Sequence, residues 1–347
     1  GDDLALRNGG YNYFYETSKR GPEDLTGAMH PFVRKNGVTV TRHSTVEFLV
    51  DLNEEAESGK LVMITMDELS TATARQQAGV LMMVQSRRVG NFNLDPNIRF
   101  MLLGNPIESA AGGYDIAPPM ANRLLWINWT LTADTWGPGM LYGEWPSAPV
   151  LGDFTDLDIT NKMKADVLPL IVGYVKNSGR LHVMPKNPSE QSGPWASPRT
   201  WEMAARLLAT SKLAGFDEGT EVLLVSGSVG DSNAGELLSY IQNLDLPDPE
   251  ELLKNPKSFK VPARQDQTFA ILGQVVAHTI QNLTDERTQA AWTILSITAK
   301  EGSIDLAASH ARTLATADVA SKKKLSDYSA HIKPFITLLQ NAGLIPK

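Results

Sequence analysis

An apolar run ending in two adjacent carboxylates stands at Leu61-Val62-Met63-Ile64-Thr65-Met66-Asp67-Glu68. The chemistry open to such a pair is phosphate transfer. A buried strand would deliver Asp67 rigidly to the water shell of a magnesium ion, and Glu68 would polarise a water attacking a γ-phosphate. The same residues also suit a strand that closes in a solvated acidic turn. A second apolar run, Arg99-Phe100-Met101-Leu102-Leu103-Gly104-Asn105-Pro106, ends in an amide. At the tip of a neighbouring strand Asn105 could hold that water; Asn-Pro could equally make a plain turn. Further on, Ala121-Asn122-Arg123-Leu124-Leu125 sets an arginine ahead of another apolar stretch. A guanidinium there could reach a phosphate across a subunit boundary or sit in a surface ion pair.

These residues need elements to hold them. The runs at 61–66 and 100–103, with helical stretches between them, read as buried parallel strands of an α/β sheet. Thr73 to Arg87 reads as a helix, with Ala78, Leu81, Met82 and Gln85 at helical spacing. Residues 88–97 have the composition of a hairpin. After residue 190 the texture turns helical: Trp201, Ala204, Ala205 and Leu208 share one face, as do Leu272, Val276, Ile280 and Leu283. Further helical texture runs through 286–300, 303–316 and 325–342. The expected organisation is an α/β core over 1–135, an irregular Gly-, Pro- and Trp-rich connection over 136–190, and a helical region over 191–347. Lys322-Lys323-Lys324 reads as a solvated helix end or loop.

Composition narrows the classes. The 347 residues suggest two domains, and 42% hydrophobic with 20% charged residues is an ordinary globular balance. A net charge of −7 argues against whole-surface attraction to nucleic acid or anionic lipid. With no cysteine, thiolate-zinc sites and a cysteine nucleophile are excluded, and a cytoplasmic location is expected. No run reaches the roughly 18 apolar residues of a membrane span. The histidines lack zinc-binding spacing, and no Gly-x-Ser-x-Gly elbow occurs. His278, within a helical pattern, reads as a satisfied, partly buried side chain.

The segment 61–125 resembles the MoxR-like members of the AAA+ ATPases, including the dynein-related subgroup. Met66-Asp67-Glu68-Leu69 is similar to their Walker B motif, and Leu103-Gly104-Asn105-Pro106 to their sensor 1 strand. Pro118-Pro119-Met120-Ala121-Asn122-Arg123-Leu124 is similar to a segment that in the family ends Asp-Arg-Phe; this chain has Asn122 and Leu124 there. The hairpin at 88–97 falls where the family inserts one before sensor 1. Gly21 to Gly27 resembles the stretch after the family's second strand, and Tyr11 to Tyr15 the strand itself. Ala196-Ser197-Pro198-Arg199 resembles sensor 2; locally, Ser197 suits an N-cap and Pro198 the first helical position, whereas an arginine is out of place at a helix start.

The resemblance implies a P-loop-type AAA+ sheet core with a helical lid, and a motor that couples ATP hydrolysis to remodelling of a partner protein. Asp67 would organise Mg²⁺, Glu68 act as general base, Asn105 orient water, Arg199 sense the γ-phosphate in cis and Arg123 act in trans. The trans role requires a ring, for which the family implies a hexamer, and a von Willebrand factor A-type protein is an implied partner. A scaffold without turnover is the rival reading, and a nucleic-acid remodeller a third that the acidic balance disfavours.

The phosphate loop Gly-x-x-x-x-Gly-Lys-Ser/Thr does not occur in the sequence. Ser58-Gly59-Lys60 runs straight into the Walker B-like strand, so no helix can follow it. The expectation is that the chain starts just downstream of such a loop, with Asp2 to Arg7 the tail of its helix. Glu221-Val222-Leu223-Leu224-Val225 is strand-like and followed by glycines, the outline of a nucleotide loop, but the glycine spacing is wrong, no lysine is present and Asp231 would repel phosphate. The family resemblance makes this region a lid helix.

Overall fold

The computed structural model describes residues 5, 7, 9–19, 27–106, 113–147, 152, 154–321 and 329–345. Two compact units make up the chain. One comprises residues 1–153 with 185–194, and the other residues 154–184 with 195–347. Gly21 to Pro22 through Thr26, most of Asp2 to Arg7, and the Lys322–Lys324 run lie outside the described residues.

The first unit is built on a parallel sheet. β1 (Tyr11–Glu16), β4 (Val62–Asp67) and β7 (Ile98–Leu102) pair in the order β1-β4-β7, with Tyr11 opposite Val62 and Val62 opposite Ile98. β4 is central and buried on both faces, which is why its sequence is continuously apolar instead of alternating. Val62, Ile64 and Met66 pack with Leu49, Leu52 and Ala56 of α1 (Glu47–Glu57), Val80 and Met83 of α2 (Ala74–Ser86), and Met120 of the short α3 (Pro118–Ala121). Burying each such side chain contributes about 1.5–3 kcal/mol. Thr73 opens α2 through a reciprocal capping box with Gln76. Two antiparallel hairpins stand outside this sheet: β2 (Met29–Val33) with β3 (Thr39–His43), and β5 (Arg88–Val89) with β6 (Phe92–Asn93). The second is the hairpin expected at 88–97.

The 136–190 stretch carries more helix than its Gly, Pro and Trp content suggests. α4 (Ala133–Tyr142) starts at a Thr132 cap and tolerates Pro138 inside it; α5 (Asp156–Lys162) starts at a Thr155 capping box. A π-helical turn over Met163–Val167 leads into α6 (Leu168–Ser178), whose Pro169 sits in the first turn, where its missing N–H is no loss.

The second unit is helical. It continues with α7 (Pro198–Ala214), α8 (Glu218–Val229), α9 (Asp231–Gln242), α10 (Pro249–Lys254), α11 (Gln265–Gln281), α12 (Asp285–Lys300) and α13 (Ile304–Ala320), then the short α14 (Ser329–Ile332) and α15 (Ile336–Asn341). Side-chain caps start four of them: Ser197, Asp217, Asp248 and Thr284 each accept a first-turn backbone N–H. Trp292, Leu272, Val276, Leu295, Leu314 and Phe335 form its main core. The strand-like run at 221–225 is helix: Asp217 caps it, and Glu218 and Glu221 complement the positive end of the helix dipole. An α/β parallel-sheet core followed by a mainly helical region is thus the observed fold class. Among the described residues no helix is long and apolar enough to cross a membrane.

Candidate functional site

The C-terminal ends of the sheet strands bring three of the five singled-out residues together. Asp67 is the last residue of β4, and Glu68 follows it at φ 57° and ψ 35°. That is left-handed backbone, uncommon for a residue with a Cβ and a place where strain of order 1–3 kcal/mol is held by its surroundings. The surroundings are specific. Asp67 Oδ1 accepts the Glu68 N–H at 2.9 Å, and Thr71 Oγ1 donates to the Glu68 carbonyl at 2.9 Å and to its Oε2 at 3.3 Å. Both carboxylates are half-buried.

Asn105 is brought alongside by main-chain bonds between the two strand ends. Leu103 N–H donates to Met66 O at 2.8 Å, and Leu69 N–H to Leu103 O at 2.9 Å. The buried Ser70 hydroxyl then accepts the Asn105 N–H at 3.0 Å. Gly104 lets this happen: a Cβ there would stand 3.3 Å from both the nitrogen and the hydroxyl of Ser70, tighter than most real contacts. Two carboxylates and an exposed carboxamide therefore leave adjacent strands at one end of the sheet, the end at which open α/β sheets bind ligands.

Arg123 belongs to the same unit by a different route. Gln77 of α2 is buried and spans to the following chain: its amide nitrogen donates to Ala72 O at 3.1 Å and Asp115 O at 3.2 Å, while its oxygen accepts the Ala117 N–H at 3.0 Å. Those bonds seat α3, at whose end Arg123 lies half-exposed, its guanidinium turned back onto Pro119 O. Arg199 is the second residue of α7, exposed, and in the helical unit. The helix starts there as expected, with Ser197 and Thr200 in a capping box and Pro198 first.

Ser70, Thr71 and Gln77 are the residues that reading the sequence missed. Their types are unremarkable in a chain; only the fold shows Ser70 and Thr71 supporting the strand tips and Gln77 the start of α3. The Arg87 side chain plays a similar part below the site, donating to the carbonyls of Asp95 and Pro96 at 3.0 Å each and to that of Ile98 at 2.5 Å at the start of β7. Burial and the neighbouring Arg99 hold its pKa below the usual guanidinium value. Among the described residues no three acidic or histidine side chains cluster as a metal cage. A cavity of about 480 Å³ lies instead at the opposite end of the strands, between β1 and α1, lined by Tyr11, Tyr13, Asp51, Glu54 and Glu55, with Lys60 paired to Glu55. Its acidic rim is a poor place for a phosphate.

No family model and no curated protein matches the chain. Seven solved chains match it in structure. One is a Cytophaga hutchinsonii protein described as a "putative ATPase", 13% identical over a match covering 69% of this chain and 78% of that chain, with a TM-score of 0.42.

Proposed function

We propose that this chain belongs to an ATP-hydrolysing motor of the MoxR-like AAA+ kind, which uses turnover to remodel a partner protein. The observation that carries the reading is the joining of the Asp67-Glu68 and Asn105 strand tips through the Met66, Leu103, Leu69 and Ser70 bonds. Magnesium favours hard oxygen donors and is commonly held by one or two carboxylates together with phosphate oxygens, and the donor set here is of that kind. Asp67 would hold the ion's water shell. Glu68 would take a proton from the attacking water as Asn105 orients it. Magnesium-bound ATP would supply the transferable phosphoryl group and the neutralising charge. Arg199 would sense the γ-phosphate from the helical unit, and Arg123 would serve a neighbouring copy in a ring, a hexamer by analogy with the family. A von Willebrand factor A-type protein is the partner the resemblance suggests, and the cytoplasm the compartment.

Glu68→Gln in the full-length protein tests this. The amide keeps size and hydrogen bonding but cannot accept the proton, so turnover should fall by about 10²-fold or more while ATP binding persists. Steady-state phosphate release and binding of a fluorescent ATP analogue would be measured side by side. Unchanged turnover removes the general-base role; absence of turnover in the unsubstituted protein favours a scaffold that keeps the shape alone.

A further inference from the structure

The β2–β3 hairpin contributes no residue to the core of its unit. All five residues of β2 are exposed, as are all of β3 except the half-buried Val40. Five register pairs, from Met29 opposite His43 to Val33 opposite Thr39, nevertheless hold its strands together. Its turn is closed by the Arg34 N–H to Val38 O and Gly37 N–H to Arg34 O bonds, both 2.9 Å. Gly37 sits at φ +79°, where only glycine is at ease. A two-stranded ribbon with no buried face is marginal alone in water, so its own stability does not account for it.

Its charge is opposite to that of the molecule. From Gly27 to Val46 the chain carries Arg34, Lys35 and Arg42 and no acidic residue, in a protein of net charge −7. None of the three makes an ion pair among the described residues. The second hairpin extends this surface. A Cβ on Gly90, at the β5–β6 turn, would stand 3.8 Å from the Cβ of His43, and the exposed Arg88 folds over that turn through its 2.7 Å bond to Gly90 O.

We propose that this basic double hairpin is a docking surface for an extended, acidic stretch of a partner polypeptide, added as a strand along β3. Both strands of the ribbon are edges. Pro31 lacks an N–H and blunts β2, which leaves β3 as the edge able to exchange main-chain bonds. A strand added there brings alternate side chains level with Arg42 and, at the turn, with Arg34 and Lys35. The like charges that would repel a second copy of this edge select an acidic one. Single-stranded nucleic acid fits less well, because it calls for open aromatic faces. The Arg42 guanidinium already lies 3.6 Å over the Phe32 ring, and Phe92 packs against the sheet core.

This surface goes beyond the hydrolysis reading, and its test needs no nucleotide, so the two stand or fall separately. Fluorescence anisotropy of a fluorescein-labelled peptide of alternating glutamate and valine would be titrated with the full chain at low salt. Reversing Arg34, Lys35 and Arg42 to Glu should weaken binding by about tenfold or more, and binding to the unsubstituted chain should weaken as salt rises. Reversing the exposed Lys257, Lys260 and Arg312 to Glu changes net charge equally and should leave the affinity close to that of the unsubstituted chain. If the triple reversal fails to fold by circular dichroism, the milder pair Arg34→Gln and Arg42→Gln carries the same expectation with a smaller loss. Equal weakening in the control, equal affinity for a lysine–valine peptide, or tighter binding of an oligo-dT of matched length would each overturn the proposal.

Discussion

The helical unit holds the larger buried core, whereas the sheet unit gathers a run of exposed aromatic and apolar side chains. In the helical unit, α11, α12 and α13 enclose Trp292, Leu272 and Leu314, and Arg287 grips Glu250 with two bonds of 2.6 and 2.8 Å. The sheet unit has a small core under three strands and exposes Trp129, Trp136, Met140, Leu141, Tyr142 and Trp145 along and beside α4, besides the two basic hairpins. Apolar surface on that scale marks contact surfaces. The larger core lies in one unit and four of the five candidate site residues in the other.

The largest expected effect sharpens that division. Trp292 is fully buried, and its indole N–H donates to the buried Asp318 carboxylate at 3.0 Å. Trp292→Ala should cost the helical unit about 3–5 kcal/mol, since it opens a cavity and takes a donor from a buried acid. Urea unfolding followed by hydrogen exchange should show protection lost across α11 to α13 and retained in β4. Loss of protection in both units together would mean that they unfold as one.

A smaller effect is expected from Gln77→Ala in the sheet unit. Three main-chain groups of Ala72, Asp115 and Ala117 lose their partner, at a cost of about 1–3 kcal/mol. The Asp67–Asn105 tips do not bond to Gln77, so nucleotide binding should outlast the loss of order at 115–123. Thermal unfolding and limited proteolysis of that segment would check it; an unchanged melting temperature would show that water replaces the amide without cost.

How much of this was legible beforehand follows the same division. β4 and β7 could be read because they are nearly continuously apolar, and α7 and α11 because their apolar residues recur at helical spacing; at α2 the spacing gives the helix but the wrong face, since Ala78, Met82 and Gln85 are exposed and Gln77, Val80 and Met83 are the buried ones. Asp67 and Asn105 could be paired because both terminate such runs. The left-handed turn at Glu68 and the Ser70 support could not be read, since they depend on where strand ends meet in space. Val222 to Val225 looks strand-like in isolation because a short apolar run fits either period; the helix expected there from the resemblance is what forms, and the deciding Asp217 cap lies outside the run. The β2–β3 hairpin left only the Asn36-Gly37 turn and the alternation of Val38 to Thr41 as signals, and its exposure on both faces removed the apolar face by which strands are usually noticed.

The smallest effect concerns pH and belongs to the helical unit alone. His278 Nε2 lies 2.8 Å from Asp166 and Nδ1 lies 3.0 Å from Glu250, so the doubly protonated ring donates to a carboxylate from each nitrogen. The π-helical turn presents Asp166, which Lys162 also pairs at 2.6 Å; Arg287 holds Glu250 from α12. The hydrogen bond to Asp166 outweighs burial and raises the His278 pKa, and Arg287 holds Glu250 down at about 2. A raised histidine pKa stabilises the fold fully below about pH 6.5 and is lost as pH climbs through the raised value; the depressed Glu250 acts above about pH 4.5 and is lost as pH falls towards 2. His310 works in the opposite sense: buried and near Lys176, it is pushed down to about 4, so it destabilises the fold as pH falls below about 6.5. His278→Gln keeps His310 and removes only the charged clamp. The difference in unfolding free energy between the two proteins, measured by urea across pH 5 to 9, should be about 1–2 kcal/mol at the acid end and shrink towards the alkaline end. A difference that stays flat would assign His278 a packing role with no part for its charge.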